Sequence, residues 1–466
     1  MTDGLLACFD EQVAVALREW AAGKGGDVRL PSQPWEARGL SGSVLVAIVL
    51  DRPARGGRVG SDKLIVKVLP ANTYAGETGR HEQAWRWSPE FAQRRLVRQL
   101  EPRYPVGDGR FLMFQEITGS LLDSRNLSRL PIDHRASACG SVTRMVLHEW
   151  NGAPWPHPDA PPAESLPVHQ YLRAELRDAI ESVYAWATAE NLLDIERVTT
   201  EGTDQVYANP LRLLEPGSAG SALVLDYLVG LSHGDLHADN VLVPYRPPEP
   251  PRLTEARLVD LSGFDARASL TRDLAALTVS MLLPVVRREL DDDESRALLD
   301  FVIEPCMEAP GALRKWVCES VWAITTTADE YTPTNWRDEW RAQRLLSLLA
   351  QALIATTFDN AEEHGRRWYF RLAGCAADAF LRGCGLPPGA TRPEVVRLPE
   401  PPGRRAEPSQ TYAGRSGPDV TPASSPAANP VPGLPAKYAG SVVSYGPLAI
   451  GDHAKAAHEM HLGGEP

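Results

Sequence analysis

Two short apolar runs bracket a polar, glycine-containing loop in LSHGDLHADNVLV (231–243), and a further run carries a carboxylate at its end in ARLVDLSGFD (256–265). The chain around them, from about 132 to 385, is dominated by apolar residues three and four apart, the spacing of packed helices. Strand runs set into helical sequence are the most restrictive feature of the chain. They put Asp235 on a tight loop before one strand, Asn240 where that loop meets the strand, and Asp260 at the end of the neighbouring strand.

Three oxygen-bearing groups in this order suit phosphoryl transfer. That chemistry needs an acceptor hydroxyl oriented by a base and phosphate oxygens neutralised by divalent ions. Asp235 can serve as the base. Asn240 and Asp260 can reach Mg²⁺, a hard ion that prefers oxygen ligands. A metal pair of His233 and His237 with Asp235 is the alternative, but it needs a third ligand that nothing in the sequence picks out. His233 then reads as support for the loop backbone, His237 as a cap on the loop or a substrate contact, Asp239 as solvated or a turn acceptor and Asp265 as surface or structural.

HGDLHADNVLV followed by LVDLSGF resembles the catalytic loop and metal-binding aspartate of the aminoglycoside phosphotransferase / choline kinase-like family, within the protein-kinase-like superfamily. RDLAAL (272–277) is similar to a later segment of that family whose aspartate, here Asp273, is structural. The resemblance covers about residues 35–385. It implies an α+β, bilobal protein-kinase-like fold with a small β-rich N-lobe, a large mostly helical C-lobe and ATP and Mg²⁺ as cofactors. It also implies Asp235 as catalytic base, with Asn240 and Asp260 as metal ligands. Ser262 and Gly263 depart from the Trp/Glu-type residues common in antibiotic kinases, and PYRPPEPPRLTE (244–255) is a Pro-rich insert.

The N-terminal lobe offers a second constellation. SVLVAIVL (43–50) and DKLIVKVLP (62–70) read as a hairpin with a long loop, followed by a helical stretch over 77–100 and a strand in RFLMFQEI (110–117). Gly39, Ser41, Gly42 and Ser43 precede or open the first strand, where backbone N–H groups can approach phosphates. Lys67 is charged within an apolar strand. It reads either as a side chain snorkelling from an edge strand or, by the resemblance, as the lysine that neutralises the α- and β-phosphates. Glu77 and Glu82, ten and fifteen residues later, both qualify as its carboxylate partner, and spacing does not separate them. By resemblance, the backbone of Gln115, Glu116 and Ile117 would hold adenine.

Leu5, Phe9, Val13, Leu17 and Trp20 recur at helical spacing, so the start of the chain reads as a packing helix rather than a signal peptide. Residues 1–34 are then an N-terminal helical extension, 35–118 the N-lobe, 119–385 the C-lobe and 386–466 a Pro/Gly-rich disordered tail. A net charge of −12 argues against nucleic acid as a partner. No run of 18 apolar residues exists, so no membrane span is expected and a cytoplasmic protein is. The six cysteines form no CxxC pair. A protein partner, if one exists, is expected to engage the tail. The expected activity is transfer of the γ-phosphoryl group of ATP to a hydroxyl of an unidentified small molecule. The alternatives are a kinase-like signalling or conflict-system protein and an inactive nucleotide-binding pseudokinase.

Overall fold

The Asp10 carboxylate accepts from the Val13 N–H at 3.1 Å and so starts helix α1 (Glu11–Gly23). Helix α1 lays Val13, Leu17 and Trp20 on the outer face of an antiparallel sheet. The strands of that sheet are β1 (Asp27–Arg29), β2 (Glu36–Arg38), β3 (Val44–Pro53), β4 (Val59–Leu69), β5 (Arg98–Gln99), β6 (Tyr104–Pro105) and β7 (Phe111–Glu116). The order β1-β3-β4-β7-β5 makes β4 a central strand, with β2 on β3 and β6 on β7. Strand β1 pairs with β3, so the sheet begins before residue 35.

The computed structural model describes residues 4–386 except 32–35, 39–43, 54–58, 70–73, 101–102, 117–123, 154–161, 194, 200–205, 219, 289, 309 and 312, and without the side chains of 36–38, 44, 59, 74–78 and 199. The 387–466 segment, read from composition as a tail, lies outside the described residues, as do Ser41, Gly42, Ser43 and Ile117.

Alternation along β3 and β4 decides what each side of the sheet does. Val46, Ile48, Leu64 and Val66 point into the cluster under α1, where Trp20 stacks on Phe114 with ring centroids 3.7 Å apart. Leu45, Ala47 and Ile65 point the other way and form a small cluster with Val97, Leu242 and Val259. Lys67, two residues from Ile65, shares that second side. A register slip of one residue would turn it into the apolar cluster instead.

The helical stretch expected over 77–100 is broken. Helix α2 (Tyr74–Trp87) stops before Pro89, which opens α3 (Pro89–Arg95), and β5 follows. Proline disfavours helical geometry in the residue before it and suits the first helical position itself.

The large lobe contains β8 (Ser124–Asn126), α4 (Ile132–Arg144), β9 (Ala163–Pro167), α5 (Val168–Leu176), α6 (Ile180–Ala189), β10 (Arg197–Thr199) and β11 (Val206–Ala208). It continues through β12 (Val224–Ser232), β13 (Val241–Pro244), β14 (Arg257–Leu258) and β15 (Asp265–Ser269). Helices α7 (Arg272–Val286), α8 (Asp292–Ile303), α9 (Lys315–Tyr331), α10 (Arg337–Ala355) and α11 (Glu362–Gly383) complete it. Two short sheets, β15-β12-β9 and β14-β13-β8, sit among these helices and carry the HGD loop between them. None of the helices described is long and apolar enough to cross a membrane. The architecture is α+β and two-lobed, with a β-rich small lobe and a mostly helical large one.

Candidate active site

Strand β12 ends at Ser232 and β13 begins at Val241, and the HGD loop between them is held by three side chains. From α7, Asp273 accepts the His233 N–H at 2.7 Å and the Gly234 N–H at 2.9 Å, together with the Ser232 hydroxyl at 3.0 Å. Also on α7, Ser280 accepts the Ala238 N–H at 3.0 Å. After α4, Asn151 bonds both backbone groups of Leu231, at 2.7 and 2.9 Å. Buried backbone donors must be paired, and here one aspartate pairs two of them in succession.

Within the loop, Asn240 Nδ2 donates to the Asp235 carbonyl at 2.9 Å. The loop thereby closes on itself and leaves the Asp235 carboxylate about half exposed, with 45% of its side chain open. His237 Nδ1 accepts the Asp239 N–H at 3.3 Å and caps the short turn Ala238–Asn240. Its Nε2 stands 3.8 Å from Asp235 Oδ2. His233 is fully buried and meets the Val259 carbonyl through Nε2 at 2.7 Å. No group of three or more His, Cys, Asp or Glu among the described residues is placed to hold a metal.

Val259 N–H donates to the Asn240 carbonyl at 3.0 Å, which sets Asp260 beside Asn240. Asp260 then takes a left-handed backbone (φ 60°), a conformation that aspartate tolerates better than most residues. Its Oδ2 accepts from Lys67 Nζ at 2.9 Å, with side-chain exposures of only 9% and 3%. Lys67 therefore does not snorkel from an edge: it is buried on a central strand and spans the two lobes. Burial alone would raise the Asp260 carboxyl, but the adjacent Lys67 charge and hydrogen bond, then Ser262, hold it below the usual carboxylate range. Among the described residues, Asp260 Oδ1 is buried and meets no donor. A buried carboxylate oxygen left open fits a hard divalent cation, because Mg²⁺ takes few protein ligands and fills its remaining positions with phosphate oxygens and water.

The expected carboxylate partner of Lys67 needs correction. Glu82 is half exposed and pairs with Arg86 on its own helix at 3.0 Å, so it is not that partner. The inward residue of α2 is its neighbour His81, which is buried and accepts the Gln99 N–H at 3.2 Å. One residue along a helix turns the side chain through about 100°, which separates the two. Glu77 lies in α2, but its side chain is outside the described residues. Burial pushes His81 down to about 4, against the pull of the Asp260 charge. On β7, Gln115 is buried with Oε1 unpartnered, and Glu116 is a partly exposed residue 4.0 Å from Arg98.

The turn after Asp260 explains one departure noted in the sequence. A Cβ on Gly234 (φ 80°) would stand 1.8 Å from the Gly263 carbonyl oxygen, so the two backbones touch where any larger residue would clash. Arg80 and Arg177, which sequence reasoning missed, bond the carbonyls of Ser262 and Gly263. Asp265 is structural, joined to Arg177 at 2.7 Å. None of the six cysteines forms a disulfide. A cavity of about 410 Å³ lined by α10 and α11 residues such as Asp338, Leu345 and Phe380 shares no residue with this site, so chemistry rather than volume locates it.

No protein-family model matches the chain, and no curated protein matches it. Among solved structures it is similar to a glucosamine kinase, at 12% identity and TM-score 0.33, over 78% of this chain and 83% of that one. It is similar to a spectinomycin phosphotransferase in complex with ADP and spectinomycin, at 11% identity and TM-score 0.28, over 76% and 93%. The GDP complex of an aminoglycoside 2′-phosphotransferase gives 14%, 0.30, 77% and 93%. Likenesses this distant show neither activity nor substrate, and the architecture must be read from the strands, helices and contacts themselves. On those contacts, the described residues form a two-lobed α+β fold in which a buried lysine–aspartate pair joins the lobes beside a glycine-bearing loop.

Proposed function

We propose that the chain is a Mg²⁺- and ATP-dependent phosphotransferase that moves the γ-phosphoryl group to a hydroxyl of a small molecule. The observation that carries this reading is the Asp260 carboxylate, with one oxygen on Lys67 and the other buried without a donor among the described residues. Asp260 and Asn240 would hold the metal, which when bound supplies charge neutralisation to the phosphate oxygens. Lys67 would hold the α- and β-phosphates. Glu77, four residues before His81 and so at the same helical face, is our candidate for the lysine's carboxylate partner. The cluster of Leu45, Ala47, Ile65, Leu242 and Val259 would offer an apolar wall for the base. Glu116 is paired with strands on both sides of β7, so the hydrogen-bonding edge would fall to Ile117, which lies outside the described residues. Gly42 with Ser41 and Ser43 would close over the phosphates. Asp235, the exposed carboxylate of the group, would orient the acceptor hydroxyl and take its proton.

The test is nucleotide binding and phosphate release by the full chain with and without Mg²⁺, for wild type, Asp235→Asn and Asp260→Ala. Asp235→Asn should abolish turnover with nucleotide affinity nearly unchanged, and Asp260→Ala should lose the Mg²⁺-dependent affinity as well. Turnover at wild-type rate in Asp235→Asn would remove the base assignment. Mg²⁺-dependent binding without turnover in the wild type, under any acceptor, would favour a nucleotide-binding pseudokinase.

A further inference from the structure

The turn Leu261–Gly263 is grasped from both lobes. Arg80, on α2 of the small lobe, donates through Nη1 to the Ser262 carbonyl. Arg177, directly after α5 of the large lobe, donates through Nη1 to the Gly263 carbonyl and through Nη2 to Asp265 Oδ2, each at 2.7 Å. Two guanidinium groups from different lobes thus hold two consecutive carbonyls. Arg177 has a left-handed backbone (φ 48°), a conformation that persists in a non-glycine residue only where its surroundings fix it. Those surroundings are present. Two residues earlier, Glu175 pairs with Arg272 at 2.7 Å with both side chains buried, and Arg272 is the neighbour of the loop-holding Asp273.

Gly263 is also the residue on which Gly234 rests, so the carbonyl that Arg177 holds is the floor under the residue preceding Asp235. Asp260 has other anchors: Lys67, the Val259 N–H on the Asn240 carbonyl, and His233 on the Val259 carbonyl. Arg177 fixes the Gly263 carbonyl against which Gly234 of the HGD loop packs. An ion pair with the partly exposed Asp265 would by itself contribute little, whereas a forked guanidinium on a carbonyl and a carboxylate fixes direction as well as distance.

We infer that Arg80 and Arg177 form a two-lobe clamp on the turn Leu261–Gly263, and that Arg177 is a positioning residue that sets Asp235 relative to Asp260. The inference rests on the phosphotransfer reading above. Arg177 touches the turn and not the reacting atoms, so its loss should misplace Asp235 while leaving nucleotide binding intact.

The experiment compares wild type, Arg177→Ala and Arg177→Lys as full chains, using Mg²⁺–ATP and Mg²⁺–GTP with water as acceptor. The expected result for Arg177→Ala is a fall in kcat of about 10- to 100-fold, the scale of a misplacement near 1 Å, with nucleotide Kd within about twofold. Millimolar guanidinium chloride should restore part of the rate in Arg177→Ala. Arg177→Lys should stay impaired, because one ammonium cannot replace the fork. An unchanged kcat, or a joint loss of kcat and affinity without guanidinium rescue, overturns the clamp. Hydrogen exchange at the amides of 233–236 needs no turnover. Faster exchange there in Arg177→Ala supports the clamp, and unchanged exchange overturns it even if the wild type proves unable to bind Mg²⁺–nucleotide and the phosphotransfer reading itself falls.

Discussion

Lys67 Nζ lies 2.9 Å from Asp260 Oδ2, in a contact that spans 193 positions of sequence and ties the small-lobe sheet to the large-lobe loop. Neither side chain reaches bulk water to any extent. A buried pair of this kind is costly to break from one side, because the remaining charge is stranded.

Lys67→Met should therefore destabilise the protein by about 3–5 kcal/mol. Chemical denaturation measures this. The double variant Lys67→Met/Asp260→Asn should recover part of the loss, since it removes the stranded carboxylate as well. Additive losses in the double-mutant cycle would show that the two residues are not coupled.

His81 gives the chain a pH dependence of defined sign. Its folded-state value is pushed by burial from the ordinary 6.5 to about 4, so between those values the unfolded chain binds the proton and the folded one does not. Stability is fully present above about pH 6.5 and is lost as the pH falls towards 4, by on the order of 3 kcal/mol. Denaturation midpoints measured from pH 7 to 4 should fall, and His81→Gln should flatten the slope. An identical slope in His81→Gln would assign the pH dependence elsewhere.

Gly234→Ala should be among the most damaging small substitutions in the molecule. It meets both a left-handed backbone and a carbonyl oxygen 1.8 Å from the new methyl. The expected loss is at least about 2 kcal/mol. Gly107→Ala, where nothing lies within 4 Å, is the control and should stay within about 0.5 kcal/mol. Equal effects at the two positions would refute the backbone contact between Gly234 and Gly263.

Much of this site could be read from the chain because its groups are local. Asp235 and Asn240 share one loop, and Asp260 follows just past the adjoining strand. Period-two alternation across LIVKVLP carries the facing of Lys67. What escaped were contacts with no signature in spacing: Arg80 and Ser262 are 182 residues apart, and Asn151 and Leu231 are 80 apart. Glu82 failed for a different reason. Distance along the chain from Lys67 is a weaker guide than helical facing, and the inward positions of α2 run through His81 and Ala84. Ser262 and Gly263 looked like departures from a pattern, and the pattern alone could not show that Gly263 must be small to admit Gly234.

Helix α1 has a practical consequence for anyone cutting this protein down. Composition suggests an appendage ending near residue 34, yet Val13, Leu17 and Trp20 roof the outer side of the sheet and strand β1 is zipped to β3. A version starting at residue 35 would bare Ile48, Leu64, Val66 and Phe114 to water and invite aggregation through a freshly opened sheet edge. The smallest piece able to stand alone begins upstream of Asp10.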